Sequence, residues 1–269
     1  MFLFYTKRGA HFICKMQSFF TCTDRKTDVS TGNSAEKYRQ NFLGCDGMKR
    51  LVTLFLCLVL LNVPAKAEEK EKLVALTFDD GPSGRFTQKL LDGLEERGAR
   101  ATFLLCGYRM AQYPQLTERI YGEGHEIGLH GYSHKPMQTM ALGEIRKELQ
   151  QALALVPTGC RVAFLRSPGG LYSPNVLTAA GELGISVLHW SVDPKDWATH
   201  DVQAVETQIL DRVRDGDIIL LHDMSDSSVE AALMIVDQLQ AQGYRFVTAS
   251  QLAQARGLTL IPGKKYSRF

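Results

Sequence analysis

From residue 73 onward, short apolar runs alternate with longer stretches whose apolar residues recur every three or four positions. The runs 73–78, 101–105, 126–129, 162–165, 185–190, 217–221 and 244–247 have the length and composition of strands. Between them, 86–97, 115–121, 142–156, 175–183, 202–213, 229–240 and 250–255 read as amphipathic helices. Leu90, Leu91 and Leu94 share one helical face, and so do Ile145, Leu149, Leu153 and Val156. Asp201 and Ser228 stand where N-caps belong; Gly98, Gly184 and Gly243 stand where helices stop. Seven β-then-α units in succession predict a single α/β domain with a parallel sheet. Such a sheet either closes into a distorted barrel or stays open and doubly wound. No G-x-G-x-x-G follows the first strand, so nothing points to a dinucleotide fold.

The pattern before residue 73 is different. Met48-Lys49-Arg50 precedes an apolar run over 51–61, followed by Asn62-Val63-Pro64-Ala65-Lys66-Ala67. A basic start, a short apolar stretch and an Ala-x-Ala site are the parts of a cleavable secretory signal. The run is too short to span a bilayer comfortably, which makes an uncleaved anchor the lesser alternative. The expectation is therefore a signal peptide over 48–67, with residues 1–47 an upstream extension ahead of the true start at Met48. The mature chain would be 68–269, secreted, periplasmic or on the cell surface, with no stable membrane insertion.

Composition suits a globular protein with a full core, at 45% hydrophobic and 22% charged. The net charge of +2 misleads, because ten of the 31 Lys and Arg but only four of the 29 Asp and Glu precede Glu68. The remainder carries 21 basic and 25 acidic residues, a net of −4, which offers no electrostatic case for binding nucleic acid. Cys106 and Cys160 alone remain beyond the leader, and they could pair in an oxidising compartment or stay as free thiols.

Reactive residue types gather where strands should end. Asp79 and Asp80 close the first, before Gly81-Pro82 breaks it. His130-Gly131-Tyr132-Ser133-His134 follows the third, and Arg166-Ser167-Pro168-Gly169-Gly170 the fourth. Asp193-Pro194-Lys195-Asp196-Trp197 follows the fifth, and His222-Asp223 ends the sixth. In a parallel barrel all of these would face one rim. Histidines at i and i+4 meet on one face of a helical turn. With one carboxylate they form a metal site that leaves positions open for water and substrate. The second Asp could then serve as a base. Zn²⁺ is the default ion, although two histidines and an aspartate also suit cobalt, nickel or iron.

Together, Thr77-Phe78-Asp79-Asp80-Gly81, His130 and His134, Arg166-x-Pro168-x-Gly170, Asp193-x-x-Asp196-Trp197 and Leu220-x-His222 resemble the five ordered motifs of the polysaccharide deacetylases. These form the NodB homology domain of carbohydrate esterase family 4. The resemblance implies a distorted (β/α)7 barrel and metal-dependent hydrolysis of N-acetyl groups on N-acetylglucosamine-containing glycans. By the same resemblance Asp80, His130 and His134 hold the metal, Asp79 is the base and His222 the general acid. Arg166 would orient Asp79, and Asp196 would hold His222 in its protonated form. The Gly169 N–H would meet the oxyanion, and Trp197 and Leu220 would form the apolar pocket for the acetyl methyl. His125, His189 and His200 match no motif and are expected to be structural or on the surface.

Two departures touch the site. Gly131 stands where the family usually has Ser or Thr, so a hydroxyl that could brace the ligand loop is missing. Ser167 and Gly169 alter the common R-P-P-Y-G motif, keeping an N–H at 169 but no aromatic wall. Neither departure separates N-deacetylation from O-acetyl ester hydrolysis, as on xylan. A glycan-binding protein without catalysis is a third alternative, disfavoured by the complete set of acid, base and ligands.

Overall fold

The computed structural model describes residues 71–269. The leader at 48–67 and the residues ahead of it lie outside the described residues. β1 (Lys72–Asp79), β2 (Ala101–Leu105), β3 (Glu126–Leu129), β4 (Phe164–Leu165), β5 (Ser186–Leu188) and β6 (Ile218–His222) are joined by helices. β7 (Tyr244–Phe246) and β8 (Lys265–Tyr266) complete the sheet, in the order β6-β1-β2-β3-β4-β5-β8 with every neighbour parallel. β7 lies beside only the first three residues of β1.

Period-two alternation explains how the sheet carries both a core and a site. On β1, Val74, Leu76 and Phe78 join the large cluster packed under the helices. Leu73 and Ala75 point the other way, into a second cluster with Leu104, Phe164, Leu188 and Ile218. The next residues on that inner face are Thr77 and Asp79, which are buried and polar. β6 repeats the scheme: Ile219 and Leu221 face the helices, while Ile218, Leu220 and His222 face inward. The inner face thus runs from an apolar floor to a polar mouth at the C-terminal ends of the strands.

The sheet curls back toward its starting edge. Past β5, Val192 bridges Ile219 of β6. The C-terminal segment fills the rest of the seam, with β8 beside β5 and Arg268 bridged to Asp217 at the foot of β6. The result is the distorted NodB-like barrel implied by the motifs, with an eighth strand absent from the seven-unit expectation.

Eight α-helices accompany the described strands. They are α1 (Arg85–Glu96), α2 (Gly107–Gln112), α3 (Pro114–Gly122), α4 (Leu142–Leu153), α5 (Pro174–Glu182), α6 (Val202–Leu210), α7 (Asp226–Ala241) and α8 (Ala249–Ala255). None is long and apolar enough to cross a membrane. α2 was not expected from the pattern. The strands expected over 162–165 and 185–190 shorten to two and three residues. Val162 and Trp190 pack half-buried without pairing. α4 and α6 stop before Val156 and Val213, which still pack on the core from the following turns. Asp201 caps α6 through bonds from Gln203 N–H and Ala204 N–H. The cap of α7 is Ser225, not Ser228: the Ser225 hydroxyl accepts from Ser228 N–H, one turn earlier than expected. Gly98, Gly184 and Gly243 follow their helices in the left-handed region, as expected of stops. Cys106 and Cys160 are both free thiols.

Candidate active site

Asp79 is the last residue of β1 and points into the barrel mouth, 3% exposed. A straight strand would send Asp80 to the opposite face. Asp80 instead adopts φ 75°, a left-handed turn that aspartate tolerates, and its carboxylate returns to the mouth. Close packing fixes the turn from below. A Cβ on Gly81 would lie 2.6 Å from the Asp223 carboxylate, so no side chain fits there. Asp223 is fully buried and accepts from the Thr87 hydroxyl; burial pushes its pKa up to about 6.

Arg166 follows β4 and lies within the barrel beneath the mouth, 1% exposed. Its Nη1 donates to Asp79 Oδ1 at 2.6 Å and to Thr77 Oγ1 at 2.9 Å. Its Nη2 donates to the His189 carbonyl at 2.9 Å, and its Nε to that of Leu188 at 3.2 Å. The Thr77 hydroxyl in turn donates a hydrogen bond to the Ile219 carbonyl. A buried guanidinium is costly unless its donors are matched, and here each nitrogen has an acceptor. Asp79 is thereby held through Oδ1, with Oδ2 turned toward His130 Nε2 at 3.8 Å.

His130 is pinned by Nδ1, 2.8 Å from the Arg166 carbonyl. That contact requires Nδ1–H, so the Nε2 lone pair is free to face an ion. His130 Nε2 and His134 Nε2 approach Asp80 Oδ1 at 3.3 and 2.9 Å. One donor atom from each of the three residues lies within 4.8 Å of the others. Asp80 Oδ1 is buried and has no hydrogen-bond partner among the described residues. A buried carboxylate oxygen between two imidazole nitrogens is the donor chemistry that a divalent metal requires, and the residues fit such an ion. Burial works to raise the Asp80 carboxyl, but the His130 and His134 imidazoles beside it hold it well below the usual carboxylate range.

His222 ends β6 directly beside Asp79 in register. Its Nδ1 lies 2.9 Å from Asp196 Oδ1, and its backbone N–H donates to Oδ2 of the same carboxylate, also at 2.9 Å. Burial of the ring opposes its charge. The Asp196 hydrogen bond and charge outweigh burial, Asp79 and Asp80 add to them, and the pKa is raised to about 9. With Nδ1 engaged, Nε2 is the nitrogen left for chemistry.

A cavity of about 370 Å³ joins these groups. Asp79, Asp80, His130, His134, Gly169, Trp197, Leu220 and His222 line it. Arg166 and Asp196 lie behind the lining, each bonded to a residue that faces it. All ten residues singled out in the sequence therefore meet in one place. Trp197 is 63% exposed at the rim, while Leu220 is buried, so the two differ as packing elements. Gly169 adopts φ 67°, and a Cβ there would meet nothing within 4 Å; the missing aromatic leaves open space.

One geometric expectation fails. His130 and His134 do not share a helical turn; the segment between them is irregular, with Gly131 at φ 78° and His134 at φ 60°. Two left-handed residues fold the loop back, so i,i+4 spacing brings the imidazoles together without a helix. Thr77, Trp190 and Asp193 also belong to the site and had been given no role in it. Thr77 was detectable as the residue two before Asp79 on the same strand face. Trp190 lines the cavity and lies over the Arg166 guanidinium at 5.5 Å. Of the unmatched histidines, His125 is buried, with burial pushing its pKa down to about 4, and His200 is exposed. His189 stacks on Trp190.

Fold and site define a NodB-type hydrolase barrel that gathers carboxylates, imidazoles and a set of candidate metal donors at one mouth. The chain belongs to the polysaccharide deacetylase family, whose model matches residues 66–188. A peptidoglycan-N-acetylglucosamine deacetylase of Bacillus cereus is 35% identical over 68% of this chain and 88% of its own length. A chitooligosaccharide deacetylase of Sinorhizobium fredii is 37% identical over 56% of this chain and 71% of its own. Among solved structures, a family 4 acetyl xylan esterase from Clostridium thermocellum, in complex with a cobalt ion, superposes with a TM-score of 0.68. That match is 32% identical and covers 73% of this chain and 98% of the other.

Proposed function

We propose that this protein removes acetyl groups from N-acetylglucosamine-containing glycans, such as peptidoglycan or chitin-like oligomers, releasing acetate and a free amine. The observation that carries the reading is the in-register pair Asp79 and His222, each with its own buried partner, beside the Asp80, His130 and His134 donors. Those three would hold the ion, Zn²⁺ by default and Co²⁺, Ni²⁺ or Fe²⁺ as alternatives, which when bound supplies Lewis acidity. Asp79 Oδ2, left free by the Arg166 clamp on Oδ1, accepts a proton from water as its oxygen adds to the acetamide carbon. The Gly169 N–H, beside the cavity, donates to the carbonyl oxygen as it gains negative charge. His222 Nε2 then gives its proton to the sugar nitrogen, the C–N bond breaks, and acetate and amine separate. Asp196 keeps that proton available by stabilising the charged imidazole. Leu220 and Trp197 offer the acetyl methyl an apolar contact.

The test is acetate release from N-acetylglucosamine oligomers and peptidoglycan, with and without chelator and with Zn²⁺ or Co²⁺ restored. Release that stops with chelator and returns with metal is expected; release indifferent to chelator would overturn the reading. The likeness to an acetyl xylan esterase supports a second reading, ester hydrolysis at the same site, and acetylated xylan assayed in parallel separates the two. We also propose export through the 48–67 leader, supported by its basic, apolar and Ala-x-Ala parts. N-terminal sequencing of the native protein should begin at Glu68.

A further inference from the structure

The loop between the two histidine donors has to be held from outside itself. Gly131 carries no side chain, and a Cβ there would displace Cε of the buried Met137, 2.5 Å away. His134, a non-glycine residue at φ 60°, keeps a left-handed backbone only where its surroundings fix it. On one side the loop carbonyls are engaged: Gly107 N–H and Tyr108 N–H, opening α2, donate to Gly131 O at 2.9 Å and Tyr132 O at 3.0 Å. On the other side a single carboxylate takes the loop's donors. Glu148 Oε2 accepts from Tyr132 N–H at 2.9 Å and Ser133 N–H at 2.8 Å, and Oε1 accepts from the Ser133 hydroxyl at 2.8 Å. Glu148 is on α4, which Ile145 and Leu149 anchor in the core. Three hydrogen bonds converging on one side chain fix two consecutive backbone N–H groups and a hydroxyl at once.

We propose that Glu148 is a positioning residue of the metal site. It fixes the Tyr132–Ser133 peptide against α4, and so sets where His134 stands relative to His130 and Asp80. Ser133 is the loop's own half of this brace. The inference rests on the metal-site reading above, and its readout is metal affinity, which needs no substrate.

The test uses the full chain, stripped of metal, with Zn²⁺ affinity measured by competition against a chromophoric chelator at fixed pH. Folding of each metal-free variant is followed by circular dichroism. Glu148→Ala should weaken Zn²⁺ binding by about 10- to 100-fold, the range for lost outer supports of metal ligands. Glu148→Gln should stay within about threefold, because its carbonyl oxygen can replace Oε2 and its NH₂ can donate to Ser133 Oγ. Ser133→Ala should fall between them, at about fivefold for one lost hydrogen bond. Parent-like affinity in Glu148→Ala overturns the inference. So does a Glu148→Gln as weak as Glu148→Ala, which would mean that charge matters and geometry does not. If Glu148→Ala does not fold, Ser133→Ala decides, and unchanged affinity there overturns it. A parent chain that binds no metal instead overturns the metal-site reading, and this inference with it.

Discussion

Asp79–Arg166 and His222–Asp196 are both carboxylate–cation pairs at the barrel mouth, yet they are built with opposite polarity. In the first, the carboxylate faces the cavity and the cation stands behind it. In the second, the imidazole faces the cavity and the carboxylate stands behind. The supports differ as well. Arg166 spreads its charge over Asp79, Thr77 and two carbonyls deep in the barrel. Asp196 gives both oxygens to a single residue, His222. The first pair holds a carboxylate in place through many contacts; the second shifts the charge state of an imidazole through one carboxylate. Position and protonation are thus supplied by separate devices on neighbouring strands.

The largest effect should come from removing the proposed base, Asp79. Asp79→Asn keeps the shape and the bond from Arg166 but cannot take a proton. Turnover should fall by about 10²- to 10⁴-fold with bound metal unchanged, seen as acetate release alongside metal content. Full turnover would move the base elsewhere. Stability should break the comparison the other way. Arg166→Met leaves the Asp79 carboxylate buried without its partner, and should destabilise the metal-free protein by about 3–5 kcal/mol in urea unfolding. Asp79→Asn should cost less, about 1–3 kcal/mol, because Arg166 keeps its neutral acceptors. Equal costs would mean that the Thr77 and carbonyl contacts contribute nothing.

The second pair should show itself in the pH dependence of both activity and stability. His222 is raised to about 9, so the proposed general acid stays protonated below that value and activity should decline on the alkaline side as the proton leaves. The sign is that of a group favoured when charged. Its contribution to stability is complete below the ordinary histidine value of about 6.5 and is lost as pH rises through about 9. Asp196→Asn removes the main stabilising partner, so the alkaline limb of kcat/KM should move down by one to two pH units, on the order of the shift it supplied. A limb that does not move would assign it to another group.

How legible all this is in the sequence follows from which interactions are periodic. Asp79, Arg166 and His222 were readable because each ends an apolar run, and a parallel sheet gathers such ends at one rim. The barrel seam was not. Lys265 and Tyr266 form a two-residue strand in a segment with no apolar run, paired only because β5 and β6 leave a gap there. The His130–His134 spacing predicts a helical turn, since two donors four apart fit one. The actual device, left-handed Gly131 and His134, leaves no periodic trace. Glu148 was illegible for a related reason. On α4 it sits among Glu144, Arg146 and Lys147, and only the fold shows that it meets a loop. Local pattern identifies strand ends; contacts between elements far apart in sequence need the structure.

The smallest effect on stability, and the one that sharpens the line between packing and recognition, belongs to Trp197. Both Trp197 and Leu220 line the cavity, but the indole is 63% exposed and Leu220 is 3% exposed. An exposed side chain loses little when truncated, so Trp197→Ala should change unfolding free energy by no more than about 0.5 kcal/mol. Leu220→Ala removes buried carbon and should cost about 2–5 kcal/mol. If the indole is there to meet substrate, Trp197→Ala should raise KM for N-acetylglucosamine oligomers while the Asp79 and His222 chemistry continues. The kinetics of both variants should be compared at a temperature where each is folded. A Trp197→Ala enzyme with parent KM and kcat would leave the rim aromatic without a role in binding. A variant that unfolds instead would show that the ring, despite its exposure, holds the Asp196 loop and acts through the second pair.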